Sequence, residues 1–188
     1  MKNPVVIFFV VLLVVVGALV FWYISARNSI IGLDETINQA VSEIDNQLQR
    51  RSDLIPNFVN TVRGYAAHEE EIFTHIADSR ARLAGANTIE EKAAGYNEMQ
   101  SALSRLLVIV EQYPDLKANQ NFIALQDELA GTENRIAVAR QRYNSSVGTY
   151  NTRIRTFPGS FIAGNLGFTQ RAYFEIDEAA RQVPLVEF

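Results

Sequence analysis

Residues 122–154 read FIALQDELAGTENRIAVARQRYNSSVGTYNTRI, and the spacing of their apolar positions decides the fold. Phe122, Leu125, Leu129, Thr132, Ile136, Ala139, Tyr143, Val147, Tyr150 and Ile154 recur in steps of three and four. Nine steps cover 32 residues, so the mean step is about 3.5, the spacing of helices that wrap with a left-handed supercoil in antiparallel bundles. Phe157-Pro158-Gly159 should end this helix.

Upstream, Ala93, Tyr96, Met99, Leu103, Leu106, Leu107 and Val110 form a second stripe. It opens at Thr88, with Glu91 three residues on as a capping box, and closes at Tyr113-Pro114-Asp115. A third stripe runs through Ile30, Leu33, Ile37, Val41, Ile44 and Leu48 to Ile55, Phe58, Val62, Tyr65, Ile72, Phe73 and Ile76. Pro56 interrupts it, because the proline ring clashes with the carbonyl four residues earlier, and a kink or a restart capped by Asp53 is expected there. No strand alternation appears between Ser25 and Thr156, so the class is all-α.

Val5 to Ile24 is twenty residues without a charge. As a helix it reaches roughly 30 Å, enough to cross a bilayer once. Phe21, Trp22 and Tyr23 mark its downstream edge, with Arg27 at the water boundary. A signal peptide usually has a shorter apolar region, which favours an uncleaved anchor. Lys2 and the α-amino group, weighed against Arg27, place the N-terminus in the cytoplasm and the bulk of the chain outside it. The expected division is residues 1–28 as anchor, 29–157 as an antiparallel four-helix bundle and 158–188 as a tail. That tail is glycine-spaced and aromatic, with Gln170 to Arg181 as a short helix, and packs on the bundle or the membrane surface. A four-pass bundle brings Phe161 and Phe168 back to the lipid, whereas three passes leave them at the far end.

With 17 Lys and Arg against 21 Asp and Glu the net charge is −4, which argues against nucleic acid as a partner. The chain has no cysteine, which excludes disulfides, thiol nucleophiles and a lipidated N-terminal cysteine. No serine lies in Gly-x-Ser-x-Gly and no glycine loop follows a strand, so hydrolase and nucleotide readings lack support.

Four groups of side chains carry chemistry worth following. His68, Glu71 and His75 would share one side of a helix and could ligate a metal, or simply belong to a solvated acidic face with Glu69 and Glu70. Tyr143-Asn144 and Tyr150-Asn151 repeat at seven residues; with Asn119, Asn121 and Asn134 they either fix helix register or line a groove for an extended peptide. Arg50, Arg51 and Asp53 beside Pro56 read as an anion or partner site, or as caps and surface ion pairs. Leu185, Val186 and Phe188 could add to a sheet edge or fold back on the bundle.

Several blocks taken together resemble the bacterial LemA family: Arg50-Arg51-Ser52-Asp53-Leu54-Ile55-Pro56-Asn57, Gly64-Tyr65-Ala66-Ala67-His68-Glu69, Leu116-Lys117-Ala118-Asn119-Gln120-Asn121-Phe122, Thr132-Glu133-Asn134-Arg135-Ile136-Ala137, both Tyr-Asn pairs and the ending Pro184-Leu185-Val186-Glu187-Phe188. The resemblance implies a four-helix antiparallel bundle on one N-terminal anchor in the bacterial inner membrane, with links to membrane proteolysis and envelope functions, and no established activity. Lipoprotein relatives in the family imply an extracytoplasmic body.

The expected function is a non-catalytic scaffold or adaptor that engages a membrane or envelope protein, a protease among the candidates, or a second copy of itself. The alternatives are a binding module for a peptide or envelope polymer, and a metal-dependent enzyme built on His68, Glu71 and His75. No cofactor is expected.

Overall fold

A computed structural model describes residues 4–176 of the chain, and the C-terminal Pro184 to Phe188 block with its two readings lies outside them. Six helices follow in order: α1 Pro4–Arg63, α2 Glu70–Gly85, α3 Ile89–Val110, α4 Pro114–Lys117, α5 Gln120–Arg155 and α6 Gly159–Leu166. No strand occurs among the described residues, and the fold is all-α.

The proline restart is the first correction, because α1 runs through Pro56 without a break. Ile55, Phe58 and Val62 on either side of it are all buried. Each such side chain stabilises by roughly 1.5–3 kcal/mol, comparable with the ~3 kcal/mol that an interior proline costs. Asp53 caps nothing here; its carboxylate accepts a 2.9 Å bond from the Gln49 amide one turn back. The chain turns instead at Gly64 to Glu69, where the Tyr65 and Ala66 N–H groups both donate to the Val62 carbonyl and Ala66 is wholly buried. Tyr65, placed in the apolar stripe by spacing, is 43% exposed in that turn.

The Thr88 capping box forms as expected. The Thr88 hydroxyl accepts from the Glu91 N–H at 3.2 Å, and the Glu91 carboxylate accepts from the Thr88 and Asn87 N–H groups at 3.1 and 2.8 Å. Those backbone donors hold the Glu91 carboxyl below its ordinary range. Pro114 starts the one-turn helix α4, and Asn119 then caps α5 by accepting from the Asn121 and Phe122 N–H groups at 2.9 and 3.3 Å.

By its contacts the chain forms two compact units. The second unit comprises residues 40–144 with 172–188, so it holds the later part of α1, all of α2, α3 and α4, and most of α5. Its contacts give the helix directions. Glu43 meets Arg142, Arg51 meets Glu133 and Phe58 stacks on Phe122, so α1 and α5 run antiparallel. Asp45 meets Lys92 and Arg51 meets Gln100, so α1 and α3 run parallel. Ser52 meets Arg80 and Arg63 lies over Phe73, so α2 opposes α1. Four helical segments therefore alternate in direction here, a pattern that supports the expected bundle for this unit.

The first unit comprises residues 1–39 with 145–171. Its α1 portion leaves Val5 to Val16, Leu19 to Trp22 and Ile24 exposed, in a stretch long and apolar enough to cross a membrane. Burial begins at Ala26 and continues at Ile30 and Ile37, while Val147, Tyr150, Ile154, Ile162 and Ala163 are buried from the other part of the unit. Phe157-Pro158-Gly159 does end α5, but a helix that spacing did not suggest, α6, follows at once and closes on Gly167 at φ 73°, a conformation glycine adopts without strain. From Phe168 to Ile176 the chain is not helical, so the short helix expected from Gln170 is absent over the described residues.

Candidate functional site

Both Tyr-Asn pairs of α5 hold extended backbone, and that backbone is the chain's own: the strap of residues 168–176 that follows α6. In the first unit the Asn151 amide donates to the Arg171 carbonyl and accepts from the Arg171 N–H, each at 2.9 Å. The Tyr150 hydroxyl donates to the Thr169 carbonyl at 3.0 Å. In the second unit the Asn144 amide donates to the Phe174 carbonyl at 3.1 Å and accepts from its N–H at 2.8 Å, and the Tyr143 hydroxyl donates to the Ala172 carbonyl at 2.7 Å. A primary amide has the donor and acceptor of a peptide group, so each asparagine pairs with one strap residue as a neighbouring strand would. Seven helical residues rise about 10.5 Å and three extended residues about 10 Å, so the repeat on α5 and the repeat on the strap share one period. These contacts are all internal to the chain; each asparagine engages the strap through both its carbonyl and its amino group.

The two clamps face different surroundings. Near Tyr150, Arg171 forms a fork with Asp34 at 3.0 and 2.8 Å. Burial first, and the Asp34 charge second, push the Tyr150 hydroxyl above its ordinary pKa. In the second unit Asn144 holds Phe174, which is 1% exposed and packs edge-on against Tyr96 with ring centres 6.1 Å apart.

Tyr96 is one wall of a buried polar centre that spacing did not reveal. Arg51, 4% exposed, pairs with Glu133 and donates to the Gln100 side chain at 2.6 Å, with its guanidinium 5.8 Å from the Tyr96 ring centre. Glu133 also accepts from the Tyr96 hydroxyl, so one carboxylate joins α1, α3 and α5. Burial foremost, then the Glu133 bond and charge, raise the Tyr96 pKa strongly. Arg51 is thus not a surface residue, which corrects that part of the expectation, while Arg50 does form an exposed pair with Glu128 at 2.6 Å. Glu133 and Tyr96 lie within the stretches that carry the helical stripes, yet nothing in their spacing marks them as partners of Arg51.

The remaining candidates separate. His68 lies in the turn before α2, whereas Glu71 and His75 lie within it, so the helical spacing that grouped the three does not apply. His75 approaches Glu98 at 3.7 Å, and Arg82 pairs with the same carboxylate at 3.0 Å. Among the described residues no three His, Asp or Glu side chains are arranged to hold a metal ion. Asn119 caps α5 and donates to the Tyr65 hydroxyl at 3.1 Å, while Asn121 and Asn134 are exposed. A cavity of about 570 Å³ opens between α3 and the strap, lined by Asn97, Glu90, Ala93 and Tyr173 among others.

Comparison with known proteins agrees with the family that those sequence blocks resemble. Residues 40–188 match the LemA family profile. Magnetosome protein MamQ 2 of Paramagnetospirillum magneticum is 26% identical over 211 residues, covering 98% of this chain and 77% of the relative. Magnetosome protein MamQ of Magnetospirillum gryphiswaldense is similar at the same identity and coverage. Protein LemA of Metamycoplasma hominis is 25% identical over 175 residues, 93% of this chain and 80% of the relative. The profile match spans the turn at Gly64, the Arg51 centre and both Tyr-Asn pairs, and the chain belongs to the LemA family.

Proposed function

We propose that this protein is a non-catalytic scaffold or adaptor, anchored once in the bacterial inner membrane with most of its chain outside the cytoplasm, and that it engages a membrane or envelope protein. The observation that carries this reading is the continuity of α1. One uninterrupted helix supplies both the apolar stretch and the core positions Ile30 to Val62, with no linker between them. Such a stem suits a protein whose task is to present a surface at a membrane. Two magnetosome proteins among the relatives support association with a membrane system, and the family resemblance makes a membrane protease one candidate partner. Self-association is a second way to use the same surface.

Crosslinking in intact membranes followed by mass spectrometry tests the adaptor. A reproducible membrane or envelope partner, or a second copy of the chain, is the expected result, and recovery of neither would overturn the reading. Because the chain lacks cysteine, Val138→Cys can report sidedness: an impermeant maleimide should label it in spheroplasts before lysis. Labelling only after lysis would reverse the orientation.

A binding module for a peptide or envelope polymer is favoured by one specific observation, the capacity of Tyr-Asn pairs to hold extended backbone. A foreign strand at Asn144 would have to displace Phe174. On that reading Asn144→Ala abolishes ligand capture in a protein that still folds.

A further inference from the structure

We propose that α6 and the preceding Phe157 form a second membrane contact, lying in the boundary between lipid headgroups and acyl chains beside the point where α1 leaves the bilayer. The proposal rests on the reading of Val5 to Ile24 as a membrane span.

Position is the first support. The compact unit that contains the apolar stretch also contains the end of α5 and all of α6, and Asp34 of α1 meets Arg171 of the strap that follows α6. Asn151 and Tyr150 hold that same strap, so α5 enters the unit opposite residue 34 and runs towards lower α1 numbers. Burial on α1 begins at Ala26, immediately past the aromatic edge of the span. The end of α5 and α6 therefore lie at the level where the span emerges.

Chemistry is the second. Residues 156–170, TFPGSFIAGNLGFTQ, carry no charge at all. Ile162 and Ala163 are buried, which fixes the inward side of α6, while Phe157 is 84% and Phe161 64% exposed and Leu166 adds to the apolar surface. Aromatic rings presented this way favour the interfacial zone, as Phe21 and Trp22 do on α1. Gly159 secures the approach, since a side-chain carbon there would sit 2.0 Å from the Arg153 carbonyl oxygen.

Charge is the third. Beyond the span, residues 25–33 and 145–170 contain Arg27, Arg153 and Arg155 and no Asp or Glu. The chain as a whole carries −4, so this end is set apart as the basic one. Exposed apolar rings beside arginines match an anionic lipid surface.

The test uses the full chain in vesicles of phosphatidylethanolamine and phosphatidylglycerol that contain lipids brominated near the headgroup end of the acyl chain. Trp22 is the only tryptophan, so in a Trp22→Phe background Phe157→Trp and Phe161→Trp each report one site and Val138→Trp serves as a control in the other unit. Expected are bromine quenching and blue-shifted emission at 157 and 161 comparable with Trp22, neither at 138, and weaker quenching at 161 when Arg155→Glu is added. Emission at 157 and 161 like that at 138, with Trp22 quenched, overturns the interfacial contact and leaves the span intact. An unquenched Trp22 overturns the span and the contact together.

Discussion

Tyr150-Asn151 and Tyr143-Asn144 grip extended backbone with the same atoms in the same order, yet the residues they secure differ. The first pair fixes Arg171, which is solvent-facing and shares its charge with Asp34. The second fixes Phe174, whose ring packs edge-on against Tyr96, the residue whose hydroxyl donates to Glu133. The units around them differ too: five basic and two acidic residues in the first, twelve and nineteen in the second. One recurring device thus secures an ion pair with an exposed arginine in the basic, apolar unit and one with a buried arginine in the acidic, helix-rich unit. A polar clamp takes its energetic weight from what it covers.

The sharpest way to break that contrast is Arg51→Met. Removing the buried arginine leaves the half-exposed Glu133 and the Gln100 side chain without their donor, and a loss of about 2 kcal/mol is expected in denaturation followed by circular dichroism. A loss below ~1 kcal/mol would show that the centre is solvated and the contrast overstated.

Next come the clamps themselves. Asn144→Ala should cost about 2 kcal/mol, since two buried backbone groups lose their partners and Phe174 is released, and Asn151→Ala should cost about 1 kcal/mol at its more exposed strap. Hydrogen exchange sharpens the comparison. The Phe174 N–H should exchange faster in the first variant and the Arg171 N–H in the second; equal effects of both variants on both amides would make the strap a single unit.

Alkaline titration gives a smaller effect. The folded state raises the Tyr96 pKa above its unfolded value near ~10, so the associated stability is present below that pH and is lost as pH rises beyond it. Tyr96→Phe should flatten the alkaline decline of the wild-type protein, with the contribution from Tyr150 remaining. The smallest effect is at the cap of α3: Thr88→Ala should cost ~1 kcal/mol. Glu91 has the opposite sign of pH dependence, because its folded pKa is depressed, so its contribution is present at neutral pH and fades as pH falls below its unfolded value of about 4.3.

How far the residues foretold this depends on the range of the physics involved. The cap of α3 was legible because Thr88 and Glu91 need only each other. The α5 stripe was legible because Ile136, Ala139, Tyr143, Val147 and Tyr150 are buried in the order their spacing gives. Pro56 left a restart open as well as a kink, because its cost is local while the burial of Ile55 and Phe58 that keeps the helix continuous is tertiary. The turn at Gly64 was hidden by arithmetic, since Tyr65 and Ile72 keep the helical phase across it. Tyr-Asn pairs stood out, but their partners could not, because Thr169, Arg171, Ala172 and Phe174 contribute carbonyls and N–H groups common to every residue. Arg51 joins residues 49 and 82 positions away in sequence, a distance over which no periodicity carries information.

The first unit is assembled from opposite parts of the chain, residues 1–39 and 145–171. During synthesis the apolar stretch emerges before α5 and can enter a membrane while α5 does not yet exist. Ala26, Ile30 and Ile37 must then wait, uncovered, until more than a hundred further residues have been made. The second unit draws most of its helices from the intervening chain and can begin to pack in that interval. Ribosomes stalled before residue 145 should therefore display that waiting face to chaperones.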